Sequence, residues 1–522
     1  MRLINTTTFE LEEYFGSNIP KYAILSHAWG NEEVSFQDWA NPTRRIAKAG
    51  YLKIDSACRR ARTDGLDYLW VDTNCIDKSS SAELTEAINS MFSWYRNALV
   101  CYAYLEDVPE KSFENSRWFT RGWTLQELLA PNIVEFYDDG WTMLGTKKNL
   151  ATKISKVTGI EMKYLVERRD FTHVSVATRM NWISHRETTL EEDMAYCMLG
   201  IFDINMPLLY GEGRKAFMRL QEEIIRVSDD HTIFCWTWDK GIPESYGTIL
   251  SPSPLAFSNS TEYKLLRVPR RRIPYSITNV GLSIRLPILR AWSYHLAILE
   301  AYQDGARASI ALKGFLDVGR FHRMEDLESP VCLPGNVKAK EHDLIISTRG
   351  ADFGHYIPIQ PLCNVGVLVL FIGNVGMFHK CRSYPPEQFD QTRSIFQFND
   401  DQEISVGLLR FCSRSQRADD LIIFFGYIPA SKSKWPRQCN FLCHVMPSWL
   451  SNLNEGELVQ EFKYIKTQMA SGGDLPDRFT SGVCTAVLTH SEVKPIKEAR
   501  DSSTVIIDLT ANATAPTEGR AN

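Results

Sequence analysis

The first 155 residues alternate between short apolar runs and longer stretches in which apolar positions recur every three or four residues. The apolar runs predict strands at residues 22–30, 68–72, 99–108 and 133–138. The intervening spacing is typical of helices that bury one face. Strands and helices that alternate at these lengths predict an α/β fold, with a parallel sheet covered by helices on both faces.

The pattern changes twice after this sheet. Residues 156–238 are rich in helical spacing and predict a helical extension that packs on the sheet domain. From about residue 239, apolar and polar positions alternate in short runs separated by Pro and Gly, as at residues 280–286. This pattern predicts a separate all-β domain, a sandwich or a barrel, over residues 239–510. The polar end, residues 511–522, predicts a disordered tail.

Composition narrows the class of protein. The chain has 522 residues and a net charge of −5, which argues against a nucleic-acid partner. Its 12 cysteines follow no disulfide framework and indicate reduced thiols. The N-terminus lacks an apolar signal core, and the most apolar run, residues 365–373, has about half the length of a membrane span. We therefore expect a soluble cytoplasmic protein without a membrane span.

Several common kinds of site are not supported. The stretch GEGRK, residues 211–215, lacks the preceding strand and the Lys-Ser/Thr pair of a phosphate loop. No G-x-S-x-G elbow of a serine hydrolase occurs. Cys439, Cys443 and His444 fit no strong zinc spacing, so thiols carried on a strand are the preferred interpretation and no metal site is expected.

The stretch RGWTLQELLAP, residues 121–131, places a glutamate, Glu127, among aromatic residues. On a helical wheel, one face is an apolar stripe of Trp118, Leu125, Leu128 and Leu129. The opposite face carries Phe119, Trp123 and Glu127. Two interpretations remain open: a solvated face that another domain partly covers, or an acid in a cleft with aromatic walls.

Five stretches resemble the fungal heterokaryon-incompatibility (HET) domain: YAILSHAWG, YLWVDTNCID, SSSAELTEAINSMFSWYRNA, WFTRGWTLQELLAP and RETTLEEDMAYCMLGIFDINMPLLYGEGRKAFMRLQEEI. The resemblance covers roughly residues 1–235. It implies a role in fungal self/non-self recognition and regulated cell death, a form of innate immunity. Family members often carry a nucleotide-binding module and repeats behind this domain, whereas this chain has a β-rich half.

The HET domain in turn looks like a divergent TIR domain, which implies a TIR-like (flavodoxin-like) sheet over residues 1–155. Enzymatic TIR domains carry a tryptophan shortly before Glu-Leu on the helix after their third strand, and this glutamate is catalytic in NAD cleavage. By resemblance, Glu127 is the candidate catalytic residue, Trp123 belongs to its site, and NAD is a substrate rather than a cofactor.

Cleavage of nicotinamide from NAD proceeds through an oxocarbenium-like state, and its leaving group is already cationic. One carboxylate therefore suffices for this reaction. Other TIR domains are interaction modules, so the alternative function is a non-enzymatic signalling module that self-associates. In either case we expect a homo-oligomer formed through the HET domain and an activating protein partner that the sequence does not name.

Ligands of open parallel sheets lie outside the carboxyl ends of the strands. The candidate substrate-binding residues there are Ser26, His27, Trp29, Gly30, Asp72 and Asp77. Gly30 would let a phosphate approach the backbone, and His27 or Trp29 would meet an aromatic ring of NAD. Simpler roles also fit: His27 would cap its strand, Trp29 would lie in the core, and the two aspartates would bind turn amides.

Overall fold

The computed structural model describes most of the chain and divides it into two compact units. The described residues are 1–16, 18–167, 171–238, 247–261, 263–265, 274–316, 319–324, 330–349, 365–373, 378–386, 388–398, 405–413, 420–427, 441–445, 457, 478–480, 484–491 and 501–511. One unit comprises Met1–Ser228 and Leu250–Thr261, and the other comprises Asp229–Ile249 and Glu262–Asn522. The boundaries after residues 155, 238 and 510 remain sequence-based predictions.

The first unit is built on a seven-stranded sheet. Its strands are β1 (Arg2–Asn5), β2 (Leu11–Glu13), β3 (Ala23–His27), β4 (Tyr68–Trp70), β5 (Val100–Tyr104), β6 (Val134–Tyr137) and β7 (Met143–Thr146). They lie in the order β2-β1-β4-β3-β5-β6-β7. Strands β4, β3, β5 and β6 are parallel. Numbered in chain order among themselves, these four strands lie in the order 2-1-3-4.

The sheet is mixed rather than purely parallel, which corrects the prediction. Strands β1 and β2 pair antiparallel at one edge, and β7 pairs antiparallel with β6 at the other. The predicted strands contain the buried parallel core, in which all five residues of β3 are buried. The edge strands are only three or four residues long and partly exposed. They therefore lack the long apolar run by which a buried strand is recognised.

Helices connect these strands and continue beyond the sheet. They are α1 (Phe36–Trp39), α2 (Pro42–Ala47), α3 (Tyr51–Thr63), α4 (Ser81–Asn97), α5 (Thr124–Leu129), α6 (Ala151–Thr158), α7 (Met162–Val166), α8 (Val176–Asn181), α9 (Asp193–Tyr196), α10 (Leu199–Phe202) and α11 (Lys215–Val227). The side chain of Ser80 caps the N-terminus of α4, because it accepts the Glu83 backbone N–H. The Glu83 carboxylate instead binds Arg2 and the Asp77 backbone N–H.

The second unit is β-rich, as predicted. Its strands are β8 (Lys264–Leu265), β9 (Ser276–Thr278), β10 (Gly281–Arg290), β11 (His295–Gln303), β12 (Ala306–Phe315), β13 (Arg320–Arg323), β14 (Val331–Leu333), β15 (Lys340–Ile346), β16 (Val365–Gly373), β17 (Phe378–Tyr384), β18 (Phe389–Asp390), β19 (Ile395–Gln397), β20 (Ser405–Ser413), β21 (Leu421–Tyr427), β22 (Phe441–Val445), β23 (Arg478–Thr480), β24 (Cys484–Ser491) and β25 (Asp501–Ala511). Strands β17, β20, β21 and β22 form a separate four-stranded sheet.

Part of the larger sheet in this unit closes on itself. Strands β10, β15, β13, β12 and β11 pair in sequence around a ring, and β11 pairs again with β10. Leu296 and Ile298 of β11 belong to a buried core cluster. This closure makes the sheet barrel-like, because a ring of paired strands leaves no free edge.

Two sequence-based interpretations concern features outside the parallel sheet. Within the described residues, no helix has both the length and the apolar character needed to cross a bilayer. Cys439 of the thiol stretch lies outside the described residues, whereas Cys443 lies on β22 and is partly buried.

Candidate functional site

The first unit contains a cavity of about 440 Å³ beside the carboxyl ends of β3 and β4. Five of the eight residues predicted for the site line it: His27, Trp29, Asp72, Trp123 and Glu127. Ser26 lies behind Glu127 and contacts its carboxyl group. Gly30 and Asp77 are not among the lining residues. The cavity thus brings together residues that are about 100 positions apart in the chain.

Glu127 is buried in the wall of this cavity, with 6% of its surface exposed. Its Oε2 accepts a hydrogen bond from the Ser26 hydroxyl, whose oxygen in turn accepts one from Trp118 Nε1 at 2.8 Å. Burial raises the pKa of Glu127 to about 8, although the Ser26 hydrogen bond opposes this shift. At neutral pH the carboxyl group of Glu127 is therefore largely protonated.

The solvated-face interpretation of Glu127 is wrong, and so is the single helix on which the wheel was drawn. Trp118 and Phe119 lie in a 3-10 turn, Arg117–Thr120, that precedes α5. The Glu187 N–H donates to Thr120 O at 2.7 Å, and the Gly122 N–H donates to Glu187 O at 2.8 Å. These strand-like bonds interrupt the helix, because they use backbone groups that a continuous helix would pair internally.

The helical wheel predicted that Phe119 lies beside Glu127, but Phe119 does not line the cavity. Its ring packs against Phe113 at 5.1 Å and Phe136 at 6.3 Å, in the core of the unit. Trp123 is the aromatic residue of this segment that lines the cavity beside Glu127. The interruption before α5 therefore separates the residues that the wheel had placed on one face.

A buried arginine, Arg186, fixes the start of α5. Its Nη1 donates to Arg121 O at 2.8 Å and to Thr124 Oγ1 at 2.9 Å. Desolvation lowers the pKa of Arg186 to about 10, while the nearby Cys197 and Glu127 oppose the shift. Since Arg186 lies more than 50 positions beyond Glu127 in the chain, no spacing in the sequence pointed to this contact.

Trp29 and Asp72 form one wall of the cavity, which combines an aromatic ring with a carboxylate. Trp29 is 40% exposed, so its core interpretation is wrong. Its Nε1 donates to Asp72 Oδ2 at 2.9 Å. The ammonium group of Lys78 lies 3.6 Å from the centroid of the Trp29 ring. Asp77, by contrast, accepts hydrogen bonds from the Ser79 backbone and hydroxyl, as the turn interpretation predicted.

His27 and Gly30 both lie against a partly buried acid, Glu33. His27 Nε2 lies 3.6 Å from Glu33 Oε2, and the Gly30 N–H donates to Glu33 Oε1 at 2.6 Å. Burial would raise the pKa of Glu33, but His27 and Lys53 hold it at about 2, so the group is anionic. Because the Gly30 N–H is occupied and lies beside a negative charge, this geometry does not favour phosphate binding there.

Several charged residues of the cavity were not predicted from sequence: Lys78, Arg121 and Asp193. Asp193 begins α9 in the helical extension, and its Oδ1 accepts a hydrogen bond from Tyr210 Oη at 2.9 Å. Desolvation raises the pKa of Asp193, opposed by its hydrogen bonds with Tyr210 and Trp123. The only sequence signal for Asp193 and Arg121 was their position inside family-like stretches, and Lys78 lies in none of these stretches. Among the described residues, no group of three His, Cys, Asp or Glu could hold a metal ion.

Comparison with known proteins agrees with the resemblance found in the sequence. The profile of the heterokaryon incompatibility protein (HET) family matches residues 22–115, which include β3, β4 and β5. The vegetative incompatibility protein HET-E-1 of Podospora anserina is 49% identical over 221 residues, which span 40% of this chain and 16% of that relative. No solved structure gives a significant match. The N-terminal part of the chain is therefore similar to the fungal HET domain, and the chain spans only a small part of the length of this relative.

Proposed function

We propose that the HET domain of this chain hydrolyses NAD at the cavity around Glu127, and that the chain acts as a cell-death effector in vegetative incompatibility. The role in incompatibility follows from the family and from the name of the similar Podospora protein. The observation that carries the enzymatic part is the burial of Glu127 in a cavity lined by His27, Trp29 and Trp123.

The position of Glu127 on the helix that follows β5 supports the TIR-like part of this proposal. Helix α5 follows β5, the third of the parallel strands in chain order, and carries Trp123 at its N-cap and Glu127 in its first turn. Catalytic glutamates of enzymatic TIR domains occupy the corresponding helix. The cavity also lies at the carboxyl edge of parallel strands, where α/β sheets bind their ligands.

The environment of Glu127 suits a reaction that creates positive charge on a sugar. A bound pyridinium ribose would bring a cation to the carboxyl group and lower its pKa, which favours the carboxylate. The carboxylate would stabilise the oxocarbenium as the bond between the ribose C1′ and the nicotinamide nitrogen breaks. The bond electrons leave with nicotinamide as a neutral ring, water adds to C1′, and one proton is released.

Ser26 and Trp118 would hold Glu127 in place during this step. The chain of hydrogen bonds from Trp118 Nε1 through Ser26 Oγ to Glu127 Oε2 fixes one carboxyl oxygen, and Tyr95 also hydrogen-bonds to the carboxyl group. Trp118 is almost fully buried, so this support is rigid. Aromatic rings beside the carboxyl group would exclude water from the developing charge.

Expression in a fungal host separates the enzyme from the signalling module. We expect the full chain to slow growth and deplete cellular NAD, and Glu127→Gln to do neither, because glutamine keeps the shape but cannot carry the charge. Glu86→Gln, which alters an exposed residue of α4, is the matched control and should behave as the parent chain. If Glu127→Gln abolishes toxicity while the parent chain leaves NAD unchanged, Glu127 acts through self-association instead.

A further inference from the structure

The exposed face of Trp29 already holds a cation. The Lys78 ammonium lies 3.6 Å from the centroid of the Trp29 ring, and the indole Nε1 donates to Asp72 at 2.9 Å. A negative charge that accepts a hydrogen bond from the indole increases the electron density of the ring face. Cations are attracted to such a face, and tryptophan is the strongest of the aromatic residues in this respect.

Among the residues that the structure describes, Lys78 is held there by this ring and by the electrostatic field of nearby carboxylates. It lies in an exposed turn between β4 and α4, and it makes no hydrogen bond or ion pair within the described residues. Desolvation lowers the pKa of Lys78, although Asp72, Glu33 and Asp193 each stabilise its charge. An ammonium group with no fixed partner can leave the ring without breaking a specific bond.

We propose that the face of Trp29 is a binding subsite for a cationic aromatic ring of the pyridinium type, and that Lys78 occupies this subsite when the cavity is empty. The inference rests on the proposed function, because the pyridinium of NAD is the cation that this site would receive. Trp29 would stack on the ring, and Asp72 and Asp193 would attract its charge. Lys78 would then be a built-in competitor that the substrate displaces.

Removal of the Lys78 charge should therefore tighten the binding of a cationic ring. The probe is 1-methylnicotinamide, which carries a permanent charge and cannot be hydrolysed at a ribose, and neutral nicotinamide is its uncharged counterpart. Binding to the purified full chain is measured by calorimetry. For Lys78→Met, which keeps a side chain of similar reach, we expect the Kd of 1-methylnicotinamide to fall roughly threefold to tenfold. The gain for neutral nicotinamide should be smaller.

Three further variants show where the effect arises. Lys78→Arg keeps the charge and should bind the probe as the parent does. Lys148→Met removes a charge from an exposed residue that does not line the cavity and should have no effect. Trp29→Leu, added to Lys78→Met, should abolish the gain because the ring face is lost.

An unchanged or higher Kd of 1-methylnicotinamide in Lys78→Met would overturn the inference, since Lys78 would then support ligand binding or play no part in it. Equal gains for the charged and neutral rings would overturn its electrostatic basis, and absence of saturable binding in every variant would overturn the subsite itself. If Lys78→Met tightens cation binding but the parent chain fails to cleave NAD, the proposed function fails and the subsite stands.

Discussion

At the scale of single residues, the central feature is an acid that the fold keeps away from water. Glu127 contacts Ser26 rather than a basic side chain, and burial raises its pKa from 4.5 to about 8. Active sites often hold such groups, because the energy stored in a desolvated carboxyl becomes available when a cation arrives.

The first prediction concerns the pH dependence of catalysis. If the ionised form of Glu127 is required, kcat/KM for NAD should rise about tenfold per pH unit below the pKa and level off above about pH 8. The direction follows because a raised pKa leaves the free enzyme protonated at neutral pH. Initial rates between pH 6 and pH 9.5 provide the test. A profile that is flat or falls over this interval would contradict the assignment.

The second prediction concerns stability. Between about pH 4.5 and pH 8 the folded chain holds a proton on Glu127 that the unfolded chain releases, so the free energy of unfolding falls as pH rises through this window. Glu127→Gln removes this pH-dependent fall in the free energy of unfolding, and the glutamine oxygen can still accept the hydrogen bond from Ser26. We expect the variant to be more stable than the parent by about 1–3 kcal/mol at pH 7 and equal to it at pH 4. Urea unfolding at both pH values would detect the difference, and a variant less stable at pH 7 would contradict the account.

Several of the residues predicted from the sequence line the cavity, because strand ends are visible in the sequence. His27, Trp29 and Asp72 follow apolar runs, and parallel strands bring their carboxyl ends to one edge. It could not place Lys78 or Asp193, because their positions depend on how a turn and the helical extension fold back over the sheet. No local pattern encodes such long-range packing.

At the scale of elements, the site depends on the packing of the helical extension against the sheet domain. Helix α5 carries Glu127, while α9 supplies Asp193 and the segment before it supplies Arg186. Helix α10 packs on α4, whose Ile88 and Met91 line the cavity. Helical spacing predicted that these helices exist, but the break between the 3-10 turn and α5 depends on bonds to Glu187, which lies far along the chain.

The third prediction tests the contact between α10 and α4. A Cβ atom added at Gly200 would lie 2.0 Å from Phe92 Cβ, a distance at which the helices must move apart. We expect Gly200→Ala to lower the free energy of unfolding by about 1–3 kcal/mol or more, as overpacking in cores does.

Gly140→Ala is the matched control, because the nearest atom to its added Cβ would be 3.5 Å away. Thermal unfolding of both variants gives the measurement. Equal melting temperatures for Gly200→Ala and the parent chain would mean that α10 does not pack closely on α4.

At the scale of the whole molecule, the chain crosses between its two units more than once. The segment Leu250–Thr261 returns to the first unit after Asp229–Ile249 has joined the second. Asn181 Nδ2 donates to Phe257 O at 3.0 Å and to Ser258 O at 2.7 Å. The sequence predicted one change of structural class, from helical to β, near residue 239, because the change in periodicity is visible there. It did not predict the returning segment, because a segment this short has no periodicity of its own.

The fourth prediction is that a fragment of residues 1–261 is more stable than a fragment of residues 1–235. Gln221 is fully buried, and its side-chain amide exchanges two hydrogen bonds of 2.8 Å with the backbone of Ser251. Removal of Ser251 leaves these buried groups without those partners, which costs about 1–3 kcal/mol for each group. Chemical denaturation of the two fragments gives the comparison. Equal free energies of unfolding would show that the returning segment adds nothing to the first unit.

The central claim, that Glu127 cleaves NAD, is tested most directly with purified full-length protein. The protein is used at high concentration, because the proposed TIR-type activity requires its assembly. It is incubated with NAD, and nicotinamide and ADP-ribose are quantified by chromatography. We predict that the two products form in equal amounts with the parent chain and with Glu86→Gln. Glu127→Gln should release them about 10²–10³ times more slowly while it remains folded. Release of nicotinamide by folded Glu127→Gln at the parental rate would contradict the account.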